Sequence, residues 1–410
     1  MRNPLAISLT GLAITFLISC SKTNNGGTDP GADAPITPIA LSAPVHHSLS
    51  GFAFNCFRQL QKEKDPGDNI FISPLSLHIA MGMVANGATG DTRSEIIKTL
   101  GAENLSMDEL NQSYLTLLEK LPKADPKVSL ALANSIWYKN NFSVEASFLN
   151  IMKDYFKAQV TGLPFQPSDV ATINQWASDH TNGKIPEVID HFDPKLVMLL
   201  MNALYFKGDW KSKFNTADTR TENFTKQGGS KMPVKMMHLK DTVQYAATPG
   251  FDVVQKPYGN GQFTMTILLP KRVPVSELFA PMDADQWQTV QSGLRTATVD
   301  IGLPKFTLKQ EYNLNSTLQA LGIKKAFTDA AQFDGFSKTP TKISFVKQNT
   351  FAAVDEEGTE AAAVTTGGIE VTSLPANPQF ICNRPFGIII SETTSNSILF
   401  MGRIAQPVSQ

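Results

Sequence analysis

Residues 356–366 read Glu-Glu-Gly-Thr-Glu-Ala-Ala-Ala-Val-Thr-Thr, a run whose composition fits two incompatible backbones. Ala361, Ala362 and Ala363 behind a glutamate have the propensity of a helix fragment. Read with a period of two, Thr359, Ala361, Ala363, Thr365, Gly367, Ile369 and Val371 share one uncharged face of a strand. The acids Glu360 and Glu370 fall on the other face. Such a segment can stand in solvent, and it can also slot into a sheet with its small neutral side down. In isolation the composition reads as a solvated Ala/Glu loop. The rest of the chain decides between the two.

The chain has 410 residues, 42% of them hydrophobic, which is enough for a large core. Its 36 basic and 37 acidic side chains nearly cancel, so no whole-chain field draws it to nucleic acid. Length alone fits two or three domains. No Pro/Gly/Ser-rich linker interrupts the chain after about residue 45, which favours one large unit over residues 45–410.

The N-terminus reads as targeting rather than fold. Arg2 supplies a basic start, and residues 5–18 form an apolar stretch shorter than the ~20 residues a membrane-spanning helix needs. The stretch closes on Leu17-Ile18-Ser19-Cys20, which resembles a bacterial lipoprotein signal. That resemblance implies a cleaved segment over residues 1–19, an acylated Cys20 as the mature N-terminus, and a lipid anchor in the cell envelope, at the outer membrane or cell surface. Residues 20–44 carry Asn-Asn-Gly-Gly, Pro30-Gly31, Pro35, Pro38 and Pro44, and are expected to form a tether without a core of their own. The remaining thiols, Cys56 and Cys382, are too few for a disulfide framework. They read as buried core thiols, with a single bridge left open, and neither has metal-ligand spacing.

Hydrophobic periodicity predicts helices over residues 50–64, 107–121, 172–180 and 312–321, and an almost wholly apolar one from Pro74 to Gly87. Residues 196–206 are apolar apart from Asn202, the pattern of a strand buried on both faces. Further strands are expected over residues 70–73, 130–138, 263–269, 299–308, 342–354, 386–392 and 398–403. Helices dominate the first half and strands the second, an α+β arrangement.

Enzyme signatures are missing from the sequence. Only 6 His occur, none in a HExxH pair, and there is no GxSxG elbow and no phosphate-binding glycine loop. His47 beside Ser48 is adjacency, not a converging triad. Neither a cofactor nor a metal is expected.

The separated motifs NIFISPLSL at Asn69, MNALYFKGDW at Met201, LPKF at Leu303, VDEEGTEAAAVT at Val354, NRPF at Asn383 and ILFMGR at Ile398 agree in order and spacing with one family. By them the chain resembles a serpin over residues 46–407. The resemblance implies a single domain of three β-sheets and eight or nine helices with an exposed reactive loop. It implies a covalent complex with a target protease, no nucleic-acid partner, and a monomer. In this family the protease attacks the loop and forms an acyl-enzyme. The cut loop then enters the large sheet as a new strand, and the protease is distorted before water completes the reaction. The uncut fold is thus a kinetic trap.

Residue by residue, Glu356, Glu357, Gly358, Thr359, Glu360, Ala361, Ala362 and Ala363 match the hinge of inhibitory members, where bulk or charge would stall entry. Lys305 matches the basic partner of Glu356, and Trp210 the aromatic where the sheet opens. Ser73, Ser76 and Asn202 match the polar cluster under the middle of the sheet; the histidine usual there is Gln348 in this chain, which removes its pH response. Counting from Glu356 by the family spacing puts the scissile bond at Thr372-Ser373, whereas counting back from Asn383 gives Leu374. The site lacks Arg and Lys, so a trypsin-like pocket would keep a buried acid unpaired. Val371 and Thr372 suit elastase-like proteases; subtilisin-like and papain-like enzymes are also admitted as targets. The competing expectation is a non-inhibitory serpin acting as a membrane-anchored binding protein.

Overall fold

The computed structural model describes residues 34–359 and 377–408. The first half runs α1 (Ala43–Glu63), β1 (Ile70–Ile72), α2 (Pro74–Gly87), α3 (Gly90–Thr99), α4 (Met107–Lys120), β2 (Val128–Lys139), α5 (Ala146–Phe156), β3 (Gln159–Leu163), α6 (Asp169–Asp179) and β4 (Met198–Asp209). The strand-rich half follows with β5 (Arg220–Thr225), β6 (Lys231–Ala247), β7 (Phe251–Pro257), β8 (Phe263–Pro270), α7 (Val275–Leu278), α8 (Ala284–Gly293), β9 (Arg295–Pro304) and β10 (Phe306–Asn313). The chain closes with α9 (Asn315–Leu321), β11 (Lys347–Val354), β12 (Gly358–Thr359), β13 (Gln379–Ile381), β14 (Phe386–Glu392) and β15 (Ile398–Ile404).

The strands form two hydrogen-bonded networks. A six-stranded sheet has the order β10-β11-β12-β4-β2-β3. A nine-stranded one runs β1-β15-β14-β8-β7-β6-β9-β13, with β5 added on β6. The longest strand, β6, joins what would otherwise be two sheets. Its first residues pair with β5, and its last four, Gln244 to Ala247, pair with β7. The three expected sheets are therefore the six-stranded sheet and two halves of the nine-stranded network.

Burial follows this layout. Strands β8, β14 and β15 are buried at every position, their mostly apolar sequences carrying Thr264, Thr266, Ser391, Glu392 and Arg403 inside with them. Helix α2 is buried at nearly every position and lies under the six-stranded sheet. Ser73 caps it by accepting from the Ser76 amide, and Pro74 occupies its first turn. Helix α4 opens on a reciprocal capping box, Ser106 with Glu109. Nine α-helices lie among the described residues, and none is long and apolar enough to cross a membrane.

Several boundaries differ from the sequence reading. Helix α1 starts at Ala43, because Pro44 suits a first turn and Val45, Ser48 and Leu49 are buried. Residues 34–44, expected to be part of a tether, are held against the domain. Thr37 exchanges two hydrogen bonds with the Gln262 amide, the Ile39 amide donates to Thr394 Oγ1, and Ile39 is buried. Prolines tolerate such an extended strap, and one apolar anchor with side-chain acceptors is enough to hold it. The strand expected over residues 299–308 is two strands, since the chain leaves one network after Pro304 and joins the other at Phe306. Residues 342–346 are not strand; β11 begins at Lys347. Helices α3, α5 and α8 had no expectation; the apolar positions of α3 and α8 are few.

Candidate functional site at the hinge

Strand β11 ends at Val354, and the next residues turn back on themselves. The Asp355 amide donates to the Gly358 carbonyl at 3.0 Å. Asp355 Oδ1 accepts from the amides of Glu357 at 3.0 Å and Gly358 at 3.3 Å. This Asx turn brings Thr359 back opposite Val354 on β11 and opposite Gly208 on β4. Gly358 faces Asp209, and a Cβ added to it would lie 2.0 Å from the Gly208 carbonyl oxygen, so only glycine fits. Thr359 is 2% exposed, and its hydroxyl is 2.8 Å from Tyr258 Oη. The hinge thus already enters the sheet by two residues.

The acids before it are held in place. Glu356 lies 2.6 Å from Lys305 Nζ, which sits in the gap between β9 and β10. Thr219 donates to the other Glu356 oxygen at 2.8 Å. Burial works to raise the Glu356 carboxyl, but the bonds from Lys305 and Thr219 outweigh it and hold the group below its usual range. Glu357 pairs with Lys213 at 3.3 Å. The Trp210 and Phe214 amides donate to the Glu357 and Glu356 carbonyls at 2.7 and 2.8 Å. Trp210 Nε1 donates to the Asp355 carbonyl at 3.0 Å, and its ring stacks on Tyr258 with centroids 4.4 Å apart. Residues 210–214 therefore cap the hinge from outside the sheet.

Below Thr359 no ladder joins β4 to β11 among the described residues. A cavity of about 760 Å³ lies there, lined by residues of β4, β11 and α2. The start of α2 bridges the two strands instead. The Gln348 amide group donates to the Ser73 carbonyl at 2.8 Å and accepts from the Ser73 amide at 3.0 Å. Ser76 Oγ donates to Asn202 Oδ1, and Asn202 donates on to Asn134 Oδ1 at 2.6 Å. Every member is satisfied by a partner that moves with a different element, so the cluster holds both strands on one helix end.

The structure thus brings Lys305, Glu356, Glu357, Gly358, Thr359 and Trp210 together at one end of the sheet, and Ser73, Ser76, Asn202 and Gln348 under its middle. Glu360, Ala361, Ala362, Ala363, Thr372, Ser373, Leu374 and Cys20 lie outside the described residues. Sequence reasoning missed Asp355, Thr219, Lys213, Tyr258 and Asn134. Asp355 had a signal, an Asx residue followed three positions on by glycine. Asn134 had none until the register placed it opposite Asn202. The open question over Cys56 and Cys382 resolves to two free buried thiols, with burial pushing Cys56 up to about 12.

Strands β4 and β11 thus flank a gap beneath the two-residue strand β12. The family model described as Serpin (serine protease inhibitor) matches residues 47–407, and the chain belongs to the serpin family. Human neuroserpin is 32% identical over 376 residues, covering 88% of this chain and 91% of that protein. The human leukocyte elastase inhibitor is 32% identical over 373 residues, covering 87% and 97%. Among solved structures, the thermophilic serpin tengpin in its native state is similar with a TM-score of 0.83 at 31% identity, covering 91% of this chain and 97% of that one.

Proposed function

We propose that this protein is a suicide-type inhibitor of serine endopeptidases that traps the acyl-enzyme when its cut loop enters the six-stranded sheet. The observation that carries the reading is the hinge itself. Gly358 and Thr359 are already paired between β11 and β4, and below them those strands have no ladder between them. Each further residue entering behind Thr359 would meet open strand edges on both sides. The side chains that follow toward the sheet, Ala361, Ala363 and Thr365, are small enough to pass. Roughly a dozen residues gaining hydrogen bonds at ~1 kcal/mol each, with apolar burial added, supply the driving force.

The bond cut is Thr372-Ser373, with Leu374 the alternative residue from the C-terminal count. Val371 and Thr372 favour an elastase-like or subtilisin-like target. The similarity to the leukocyte elastase inhibitor supports the first of these. Acylated Cys20 anchors the monomer in the cell envelope, at the outer membrane or cell surface. Incubation with pancreatic elastase, followed by denaturing gel electrophoresis, tests the mechanism. The expected product is an SDS-stable adduct, with a released C-terminal peptide beginning at Ser373. Complete cleavage with no adduct would support the binding-protein alternative instead.

A further inference from the structure

Strand β7 carries a lysine where its pattern calls for an apolar side chain. Lys256 follows buried Val253 and Val254 and is itself 0% exposed. A fully buried ammonium is costly unless it is paired and hydrogen-bonded, and Met of similar length would fill the place without that cost. The groups around it explain what the charge does. Nζ lies 4.7 Å from the Phe214 ring centroid and 5.2 Å from that of Trp210. It donates to the Ser212 carbonyl at 2.6 Å and to Asp241 Oδ2 on β6 at 3.3 Å. Asp241 is the charged group in contact with it. The neighbouring cations of the 210–214 segment turn elsewhere, Lys211 to the Asn260 carbonyl and Lys213 to Asp209 and Glu357. On β8 its register partner is the neutral Met265.

Among the described residues, the contacts of this ammonium other than Asp241, namely Trp210, Ser212 and Phe214, are on the segment that caps the hinge. Trp210 and Phe214 are the residues whose amides bind the Glu357 and Glu356 carbonyls. We propose that Lys256 is a positioning residue for loop insertion, its buried ammonium clamping Trp210 and Phe214 over the hinge so that the top of the sheet stays closed until the loop is cut. The proposal rests on the insertion reading above. Losing the proton removes both cation–π attractions and weakens the bond to Ser212, which frees the cap and lets the sheet part sooner. Burial, opposed by Asp241, pushes the amine down to about 8, so this change falls within reach of solution pH.

The test is annealing of a synthetic peptide carrying residues 360–372 into the intact protein, followed on native gels between pH 6.5 and 9.5. For the native sequence the annealing rate should rise about tenfold across a midpoint near pH 8. Lys256→Met should be fast throughout and flat with pH. Lys256→Arg, which keeps its charge, should be slow throughout and equally flat. A passive packing role would not produce opposite offsets with the same loss of pH dependence. If Lys256→Met fails to fold, the flat, slow profile of Lys256→Arg decides alone. Annealing at one rate in all three proteins at every pH overturns the role of Lys256 and leaves insertion standing. No annealing in any of them overturns insertion and the clamp together.

Discussion

At the residue scale, the hinge depends on one acid with two donors. Glu356 keeps its charge because Lys305 and Thr219 both bond it, and its carbonyl in turn holds the Phe214 amide. Its lowered carboxyl contributes stability above the ordinary carboxylate range, and that stability is lost as pH falls through the folded value. Lys305 is about a third exposed, so the pair is discounted for solvent screening. Glu356→Gln should therefore cost about 1 kcal/mol locally, read as roughly fivefold faster hydrogen exchange at the Trp210 and Phe214 amides. Unchanged exchange there would remove Glu356 from the latch. His78 also carries a defined pH signature. It is buried between Ser48 and Tyr114, with Nε2 3.1 Å from Ser48 Oγ and Nδ1 2.8 Å from Tyr114 Oη. Burial lowers it to about 4, so the unfolded chain binds its proton first and stability falls as pH drops from about 6.5 to 4. The loss amounts to roughly 3 kcal/mol at about 1.4 kcal/mol per unit. His78→Gln should melt with a shallower pH dependence over that window; an identical slope would contradict it.

At the scale of elements, the two-residue strand β12 is the part on which the proposed insertion rests. It pairs with one residue of β11 and two of β4, and its geometry depends on Gly358 lying against the Gly208 backbone. Backbone cannot rotate away as a side chain would, so Gly358→Ala should expel β12. Overpacking of 1–3 kcal/mol corresponds to a loss of SDS-stable adduct, in favour of free cleaved product, of roughly fivefold to a hundredfold. Exchange protection at Gly208 and Asp209 should fall with it. A normal adduct yield from this variant would mean that prior entry of the hinge is dispensable. Helix α2 acts at the same scale. Its capped start ties β11 through Gln348 and β4 through Ser76, so widening the gap between the two strands strains these ties.

At the scale of the whole molecule, much was legible because the core strands are long, apolar and bounded by charge or glycine. The run from residue 196 to 206 and the segments at 263, 386 and 398 became β4, β8, β14 and β15 nearly as read. The contacts at the hinge were legible to the extent that Glu356, Lys305 and Trp210 each stand in a recognisable motif. What was not legible depends on the fold itself. The burial of Lys256 arises only in the fold, where Trp210 and Phe214 close over it. Asn134 gains its role only from register, and the strap over residues 34–42 looked like linker because its anchors, Gln262 and Thr394, lie far along the chain. The break at Lys305 is a change of sheet, which hydrophobic periodicity does not mark. The proposed mechanism requires a sheet that gains stability on taking another strand. A dozen new ladder bonds at ~1 kcal/mol each, set against an unfolding entropy of about 2 cal/mol/K per residue over a domain of this size, correspond to a rise in melting temperature of about 15 °C. Scanning calorimetry of the intact protein beside the form nicked once in the loop measures this directly. The account predicts that the nicked form melts higher by about that margin or more, and equal melting temperatures would contradict it.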